Sequence, residues 1–356
     1  MIINTISNYN DFLQIENEYA DLWTNSVDKN IFNSPVFVKS YFKNFSKNNK
    51  IYFLCLYNNN KLIGVAPLKI VKKSFFIFKW NELRFATEGD YRGFIVRKKS
   101  CCSDANEEQI IKHLLNEIEN LKCDRICLDY ISQHSSLFKY LSKNDYYNSK
   151  VLYHIQVPFI NIDLSDSHEE IPIIFPKKMR KYRNKLIKDN DYNLIVKNKM
   201  DDSDLDEMSS LHIKEMKYLI SRGNDSRHSL YEDLDRKNYV YDTQKLYDNV
   251  FHFMLRRKSD NKLICYRNTY FCNNTLHSWN TAYDPEFESY RVNNTFFYEI
   301  FKYIYENKIC NKFNFGSGGY AWKFSFTDDF DVLYKLDFFN KKAKFIEKLI
   351  NLKKVL

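Results

Sequence analysis

Three of the chain's seven glycines, Gly316, Gly318 and Gly319, fall within one short stretch. Glycine is needed where the backbone takes a positive φ or where a ligand comes close to the main chain. The cluster follows Phe313-Asn314-Phe315, which reads as a strand, and open α/β sheets place ligands beyond the carboxyl ends of their strands. Tyr320, Trp322, Lys323 and Phe326 come next. Lys323, flanked by Trp322 and Phe324, is the first catalytic candidate. Its ammonium would bind a carboxylate, a phosphate or a developing oxyanion. A tight turn with aromatic packing and a solvated lysine is the plainer reading of the same residues.

A second constellation runs from Leu276 to Pro285 and reads as a strand stopped by Asp284-Pro285. The loop Glu286 to Asn293 then leads into a helix expected to be capped by Asn294. Strand, loop and helix N-terminus together make an anion site, because unpaired backbone N–H groups and the helix dipole face the loop. Arg291 stands beside it. Tyr283, Arg291, Asn293, Asn294 and Thr295 are therefore the expected anion-binding residues. Candidates for a proton acceptor are His212, on a helix starting near Ser203 with Glu215 and Met216 a turn later, and His277, on the strand with Trp279 and Thr281. Asp90 is the third, set between Gly89 and Gly93. Packed and hydrogen-bonded histidines, and a turn aspartate, are the structural alternatives.

The elements that must position these residues repeat. Ile51 to Tyr57 alternates as a strand, Asn58-Asn59-Asn60 makes a polar turn, and Lys61-Leu62-Ile63-Gly64 opens a second strand. Further on, Phe251 to Arg256, the turn Ser259-Asp260-Asn261 and Lys262-Leu263-Ile264-Cys265 do the same. Each half closes with a helix and a strand: Glu107 to Leu121, with apolar residues at helical spacing, then Asp124 to Ile131; and Thr295 to Asn307, then Lys312 to Gly316. Repeated order of this kind points to duplication. The fold class expected is α/β, two tandem domains, each a mixed, mostly antiparallel sheet flanked by helices. The boundary is placed between Asp163 and Pro176, giving domains 1–165 and 166–335 and a basic amphipathic C-terminal helix over 336–356.

Composition bounds the function without selecting it. The 356 residues carry a net charge of +9, compatible with nucleic acid, an anionic membrane surface or a polyanionic small molecule. The 27 Tyr and 29 Phe, beside abundant Lys, Asn and Ile, read as codon bias first. None of the eight cysteines forms a CxxC pair or a zinc-spaced cluster, so free thiols and no metal are expected. No signal peptide or membrane span is legible, which leads to an expectation of a cytoplasmic protein. The densest basic run, Lys177 to Lys188, reads as a phosphate, anionic-lipid or tRNA contact, or as a solvated helix face. The C-terminal run KKAKFIEKLINLKKVL reads as a segment docked on the protein or, less readily, resting on a membrane.

At these residues the chain resembles the CelD/BcsL-type acetyltransferases, relatives of the FemABX and GNAT acyltransferases. The resemblance rests on Tyr283-Asp284-Pro285, Arg291-Val292-Asn293-Asn294, Phe313-Asn314-Phe315-Gly316, and Trp322-Lys323 with Phe326. In the first half it rests on Gly64-Val65-Ala66-Pro67-Leu68 and Glu88-Gly89-Asp90-Tyr91. The basic run and the stretch from Leu211-His212 to Arg222-Gly223 look like the family's entry into its second domain. Three departures stand out. Asn293 replaces a usual Gly, a place where Asn tolerates positive φ. Trp322 replaces Tyr, and the Arg-x-x-Gly-x-Gly pyrophosphate signature is missing.

The resemblance implies a GNAT-type acyl-CoA-dependent N-acyltransferase. An amine attacks the thioester directly, and the acceptor is an amino sugar or another precursor of a surface polysaccharide. Acetyl-CoA or another acyl-CoA is the donor, bound by the second domain, while the first, degenerate domain shapes the acceptor side. Lys323, Asp90 and His212 are the expected catalytic residues, with Lys323 and Asp90 facing one cleft. Tyr91, Arg222, His277, Gly318 and Trp322 are the expected substrate contacts. The alternatives are a FemX-like transferase using aminoacyl-tRNA, and an inactive tandem GNAT that binds a ligand or partner.

Overall fold

The computed structural model describes residues 1–75, 77–101, 105–164, 177–340 and 343–347, with the backbone alone at 177–179. The chain divides into two compact units, Met1–Gln156 with Asp331–Leu356, and Val157–Phe330.

The first unit opens with β1 (Ile2–Ile6), α1 (Tyr9–Gln14), α2 (Glu16–Thr24) and α3 (Pro35–Phe45). Then come β2 (Lys50–Asn58), β3 (Lys61–Phe75), β4 (Phe78–Phe85), β5 (Ile95–Val96), α4 (Glu107–Asn120), β6 (Arg125–Ser132), α5 (Ser136–Lys143) and β7 (Val151–Asn161), whose residues from Val157 on count to the second unit. The hairpin β2–β3 turns through Asn59 and Asn60, both at positive φ, as an asparagine-rich two-residue turn requires. β4 runs antiparallel to β3 and parallel to β6. The apolar face of α4, Ile110, Ile111, Leu114, Leu115 and Ile118, is buried over this sheet. Gly64 admits that approach, because a Cβ there would lie 2.4 Å from Ile110.

The second unit repeats the plan. It contains α6 (Lys177–Asp189), β8 (Tyr192–Lys197), α7 (Asp202–Ser221), α8 (Leu234–Leu246), β9 (Val250–Arg257), β10 (Leu263–Cys272), β11 (Thr275–Tyr283), α9 (Val292–Glu306) and β12 (Lys312–Asn314). β9, β10 and β11 form an antiparallel run, and β12 lies parallel to β11. One face of the sheet packs on the aromatic side of α9 through Leu276, Phe297, Phe301 and Phe313. The other packs on α7 through Leu205, Met208, Tyr266 and Ala282. The mixed, mostly antiparallel α/β plan is the one expected, present twice.

The domain limits differ from expectation. The units part at Gln156/Val157 rather than at 165, and the chain after Asp331 belongs to the first unit. There β13 (Phe330–Phe339) pairs with β6, from Leu333↔Ser132 to Phe339↔Arg125. Residues 336–339, assigned from sequence to a C-terminal helix, are therefore strand. Helix is present at 344–347, and much of the remaining run lies outside the described residues. The seven described cysteines are free, and all but Cys101 are buried; Cys102 lies outside the described residues.

Candidate functional site

The site is built on the divergence of β11 and β12. The two strands pair only over Thr275–His277, opposite Lys312–Asn314. β12 then ends, while β11 runs on to Tyr283. Asp284 N–H donates to the Ile264 carbonyl of β10, so the Tyr283 N–H faces the opposite side, where it meets Glu215 Oε1 at 3.4 Å. Strand alternation puts the Thr281 N–H on that same unpaired edge. A bulge at Trp279, where the register moves from Asn268↔Asn280 to Thr269↔Ser278, reverses the facing of side chains along β11. Leu276 therefore packs toward α9 and Ala282 toward α7.

Past β11, Asp284 caps a 3₁₀ turn over Pro285–Tyr290, and Arg291 takes a left-handed conformation (φ 48, ψ 50). α9 starts there. Arg291, not Asn294, is its N-cap, and no side chain caps it. Asn294 lies in the first turn, its N–H on the Arg291 carbonyl at 2.9 Å. The positive φ expected at Asn293 is carried by Arg291 instead. A bulky residue held in this region is strained, and such strain concentrates at functional sites. Asn293 Oδ1 and the buried Thr295 Oγ1 find no hydrogen-bond partner among the described residues.

This helix start opens on a cleft of about 800 Å³. Its walls are Arg291, Val292, Asn293 and Asn294 from the head of α9, Tyr283 and Glu288 from the loop before it, Arg222 from the end of α7, Tyr182 from α6, and Ala321, Trp322 and Ser325 from the segment after the glycines. Six of the expected site residues, Tyr283, Arg291, Asn293, Asn294, Arg222 and Trp322, thus share one cleft. Arg291 lies over the Tyr182 ring at 5.0 Å, and Trp322 packs on Phe297 at 5.4 Å. The basic run Lys177 to Lys188 lies within α6, which is held against α9 by Arg183 Nε on Glu299 Oε1 at 2.7 Å. Arg180, Lys181, Lys185 and Lys188 stay exposed around Tyr182.

Other expected site residues stand elsewhere. Lys323 is only 3% exposed, and its ammonium donates to the carbonyls of Gly316 (2.6 Å) and Ser317 (2.8 Å). It clasps the glycine loop and is not among the residues that line the cleft. Gly316 and Gly318 do carry positive φ (78 and 104). A Cβ on Gly318 would lie 2.4 Å from the Tyr320 ring, and Gly318 is not among the residues that line the cleft. His212 is buried, with Nδ1 2.8 Å from Ser229 Oγ. Burial, with the Arg227 guanidinium adding to it, pushes its imidazole down to about 3. His212 thus lies inside the fold, and it is not among the residues that line the cleft. His277 lies in the paired part of β11, between Tyr270 and Asn314, and does not line the cleft. Asp90 and Tyr91 belong to the first unit, where the Tyr91 hydroxyl donates to Asp331 Oδ2 at 3.3 Å.

Reading from sequence missed Glu215. It is 5% exposed, ion-paired to Arg227 at 3.0 Å, and sits at the unpaired edge of β11. Burial raises its carboxyl, and Arg227 draws it part of the way back. Arg267 was missed as well. It is buried, donates to Ser278 Oγ at 2.6 Å and lies 4.2 Å over the Phe297 ring, and burial lowers it to about 10. Tyr182 had a legible signal, an aromatic inside a basic run. Glu215 had little, because its importance depends on where α7 docks.

Among its described residues the first unit shows neither feature of this site. The gap between β4 and β6 is filled by its own chain: Arg92 N–H donates to the Tyr130 carbonyl at 3.0 Å, and the Arg92 guanidinium meets Asp129 at 2.8 Å. The start of α4 is closed by a reciprocal capping box between Asn106 and Gln109, with Glu107 and Glu108 in the first turn.

Residues 176–324 match the family described as acetyltransferase (GNAT) domain. Three solved structures share the fold over nearly the whole chain. FemX aligns with TM-score 0.59 at 11% identity, covering 98% of this chain and 100% of its own. L-PGS from Bacillus licheniformis aligns with TM-score 0.56 at 10% identity, covering 91% and 92%. A tandem GNAT protein from the clavulanic acid biosynthesis pathway aligns with TM-score 0.50 at 8% identity, covering 94% and 98%. No curated protein matches in sequence. The chain has a GNAT-type acyltransferase fold in tandem form. Among the described residues, no group of three or more His, Cys, Asp and Glu could hold a metal ion, and no helix is long and apolar enough to cross a membrane.

Proposed function

We propose, from a GNAT-type fold as premise, that the protein is an acyl-CoA-dependent N-acyltransferase of CelD/BcsL type whose donor site is the cleft of the second unit. The observation that carries this reading is the uncapped start of α9 opening on that cleft beside the unpaired edge of β11. Backbone N–H groups at a helix start bind phosphate without a dedicated side chain. Arg291 adds charge there, and Arg222 stands on another wall. The thioester lies along β11, and N–H groups on the open edge, Thr281 among them, receive the oxyanion as the tetrahedral intermediate forms.

The step balances simply. The amine nitrogen attacks the thioester carbon, the C–N bond forms, and the C–S bond breaks. Coenzyme A leaves as the thiol, taking up a proton. Glu215 is the group best placed to accept the proton that the amine loses: its carboxylate is at the open edge, and burial raises its proton affinity. The acceptor in this reading is an amino sugar or a surface-polysaccharide precursor. The first unit, with its gap filled and its helix start capped, is the side that does not bind the donor.

The reading is tested by calorimetric titration of coenzyme A into the protein and an Asn294→Asp variant, with mass spectrometry of amine acceptors incubated with an acyl-CoA panel. A carboxylate in the first turn stabilises the helix but repels phosphate, so affinity should drop about tenfold in a folded protein. Equal affinity would remove the phosphate role, and no acyl-CoA-dependent mass gain on any amine would remove the reaction. A second reading, an aminoacyl-tRNA donor, draws on the exposed basic residues of α6 beside the cleft. Tight, steeply salt-dependent tRNA binding without coenzyme A binding would favour it.

A further inference from the structure

The long hairpin β3–β4 outruns its sheet. β3 pairs with β2 only as far as Ile70, and β4 meets β6 at Glu82 and Leu83. Beyond those limits, residues 72–75 and 78–81 form a two-stranded ribbon, paired from Lys72↔Asn81 to Phe75↔Phe78. One face carries Phe75 and Trp80, which pack with Phe339, Ala343 and Ile346. Phe78 meets Phe345 edge-on at 5.8 Å. At the tip, Ile77 is 85% exposed, and Phe345 beside the ribbon is 52% exposed.

Lysines flank these apolar groups along the ribbon and the segment beside it. Lys72, Lys79 and Lys344 are exposed and Lys73 is half-buried. None of the four makes an ion pair among the described residues. The acidic groups nearby are engaged: Glu82 with Arg84 and Arg125, Asp337 with Arg125 and Lys335, and Asp124 with the Asn81 N–H. Glu347, on the same short helical segment as Lys344, leaves the lysines in excess. A single exposed isoleucine is ordinary. Exposed apolar groups at the ribbon tip, flanked by lysines without ion pairs, match the two-part chemistry of an interfacial anchor, in which apolar insertion and attraction to anionic headgroups act together.

We propose that the ribbon tip around Ile77, with Phe345 and the flanking lysines, docks the protein on the surface of an anionic lipid bilayer. Ile77 and Phe345 enter the headgroup boundary, and Lys72, Lys73, Lys79 and Lys344 face the lipid phosphates. The association is peripheral and reversible, as expected for so small an apolar area. It stands independently of the acyl-transfer reading.

The test is co-sedimentation of the full chain with vesicles of phosphatidylcholine alone and of phosphatidylcholine with one quarter phosphatidylglycerol, at low and high salt. The protein should bind the anionic vesicles, release at high salt and leave neutral vesicles largely unbound. Each lysine removed should lower partitioning about fivefold, so Lys72→Gln with Lys79→Gln should lower it about 25-fold. Ile77→Asp should lower it at least about tenfold. These positions are surface-exposed, and a melting curve matching wild type will confirm that the variants fold. Absence of binding to anionic vesicles would overturn the proposal, as would unchanged binding by both variants. So would sedimentation velocity showing that the tip instead joins two copies, with Ile77→Asp restoring the monomer.

Discussion

Replacing Lys323 by Met separates two roles that sequence alone could not. The side chain keeps its length and loses its charge and its donors. In the folded protein the ammonium holds two backbone carbonyls, Gly316 at 2.6 Å and Ser317 at 2.8 Å, in a nearly closed site. A hydrogen bond to a charged group contributes about 1.5–3 kcal/mol, and a buried carbonyl left unmatched costs about 1–3 kcal/mol. The ammonium's own desolvation offsets part of this, so the net loss should be about 2–4 kcal/mol. At roughly 3 °C per kcal/mol for a domain of this size, the melting temperature should fall by about 6–12 °C. Calorimetric melting, followed by coenzyme A titration well below the transition, measures both quantities. Affinity should weaken only modestly, through looser placement of Trp322. A Lys323→Met protein that melts like wild type but loses its acyl-transfer rate a hundredfold would refute this reasoning and return Lys323 to the chemistry.

Further predictions address the helix start, the buried histidine and the carboxylate at the strand edge. Arg291→Gly should raise stability by about 0.5–1 kcal/mol, because glycine takes the left-handed conformation without strain, yet weaken coenzyme A binding; opposite signs in melting and calorimetry are the signature. The unfolded chain protonates His212 near its ordinary value of about 6.5, while the folded chain resists until about 3. Stability should therefore fall as pH drops through that window, by up to about 1.4 kcal/mol per pH unit from this group. His212→Gln should flatten the acid limb of denaturant midpoints against pH. Glu215→Gln should lower kcat by roughly two orders of magnitude with coenzyme A affinity nearly unchanged. It should also remove the rate's dependence on a carboxyl raised above its usual range; a wild-type rate and pH profile would exclude Glu215 as the proton acceptor.

The parts of the structure legible in the sequence are those whose cause lies within a few residues. Asn59, Asn60 and Asn261 take positive φ in their turns because the asparagine side chain tolerates it. The amphipathic spacing of Glu107 to Leu121, with Asn106 and Gln109 at its head, suffices for α4 and its capping box. Gly316 and Gly318 adopt the conformations for which glycine is needed. The gathering of Tyr283, Arg291, Asn293 and Asn294 around one loop is equally local, since they flank a single strand end.

What tertiary structure decided depends on distant partners. Residues 336–339 read from sequence as part of a basic C-terminal helix, and only pairing with β6, far back in the chain, makes them strand. His212 and Glu215 lie a turn apart on α7, and only the packing of that helix buries the imidazole against Ser229 and brings the carboxylate to the edge of β11. Lys323 follows the glycines as an active-site lysine would, but the loop folds back and its own carbonyls take the ammonium. Sequence determines what a side chain can do; desolvation and the partners supplied by the rest of the fold determine what it does.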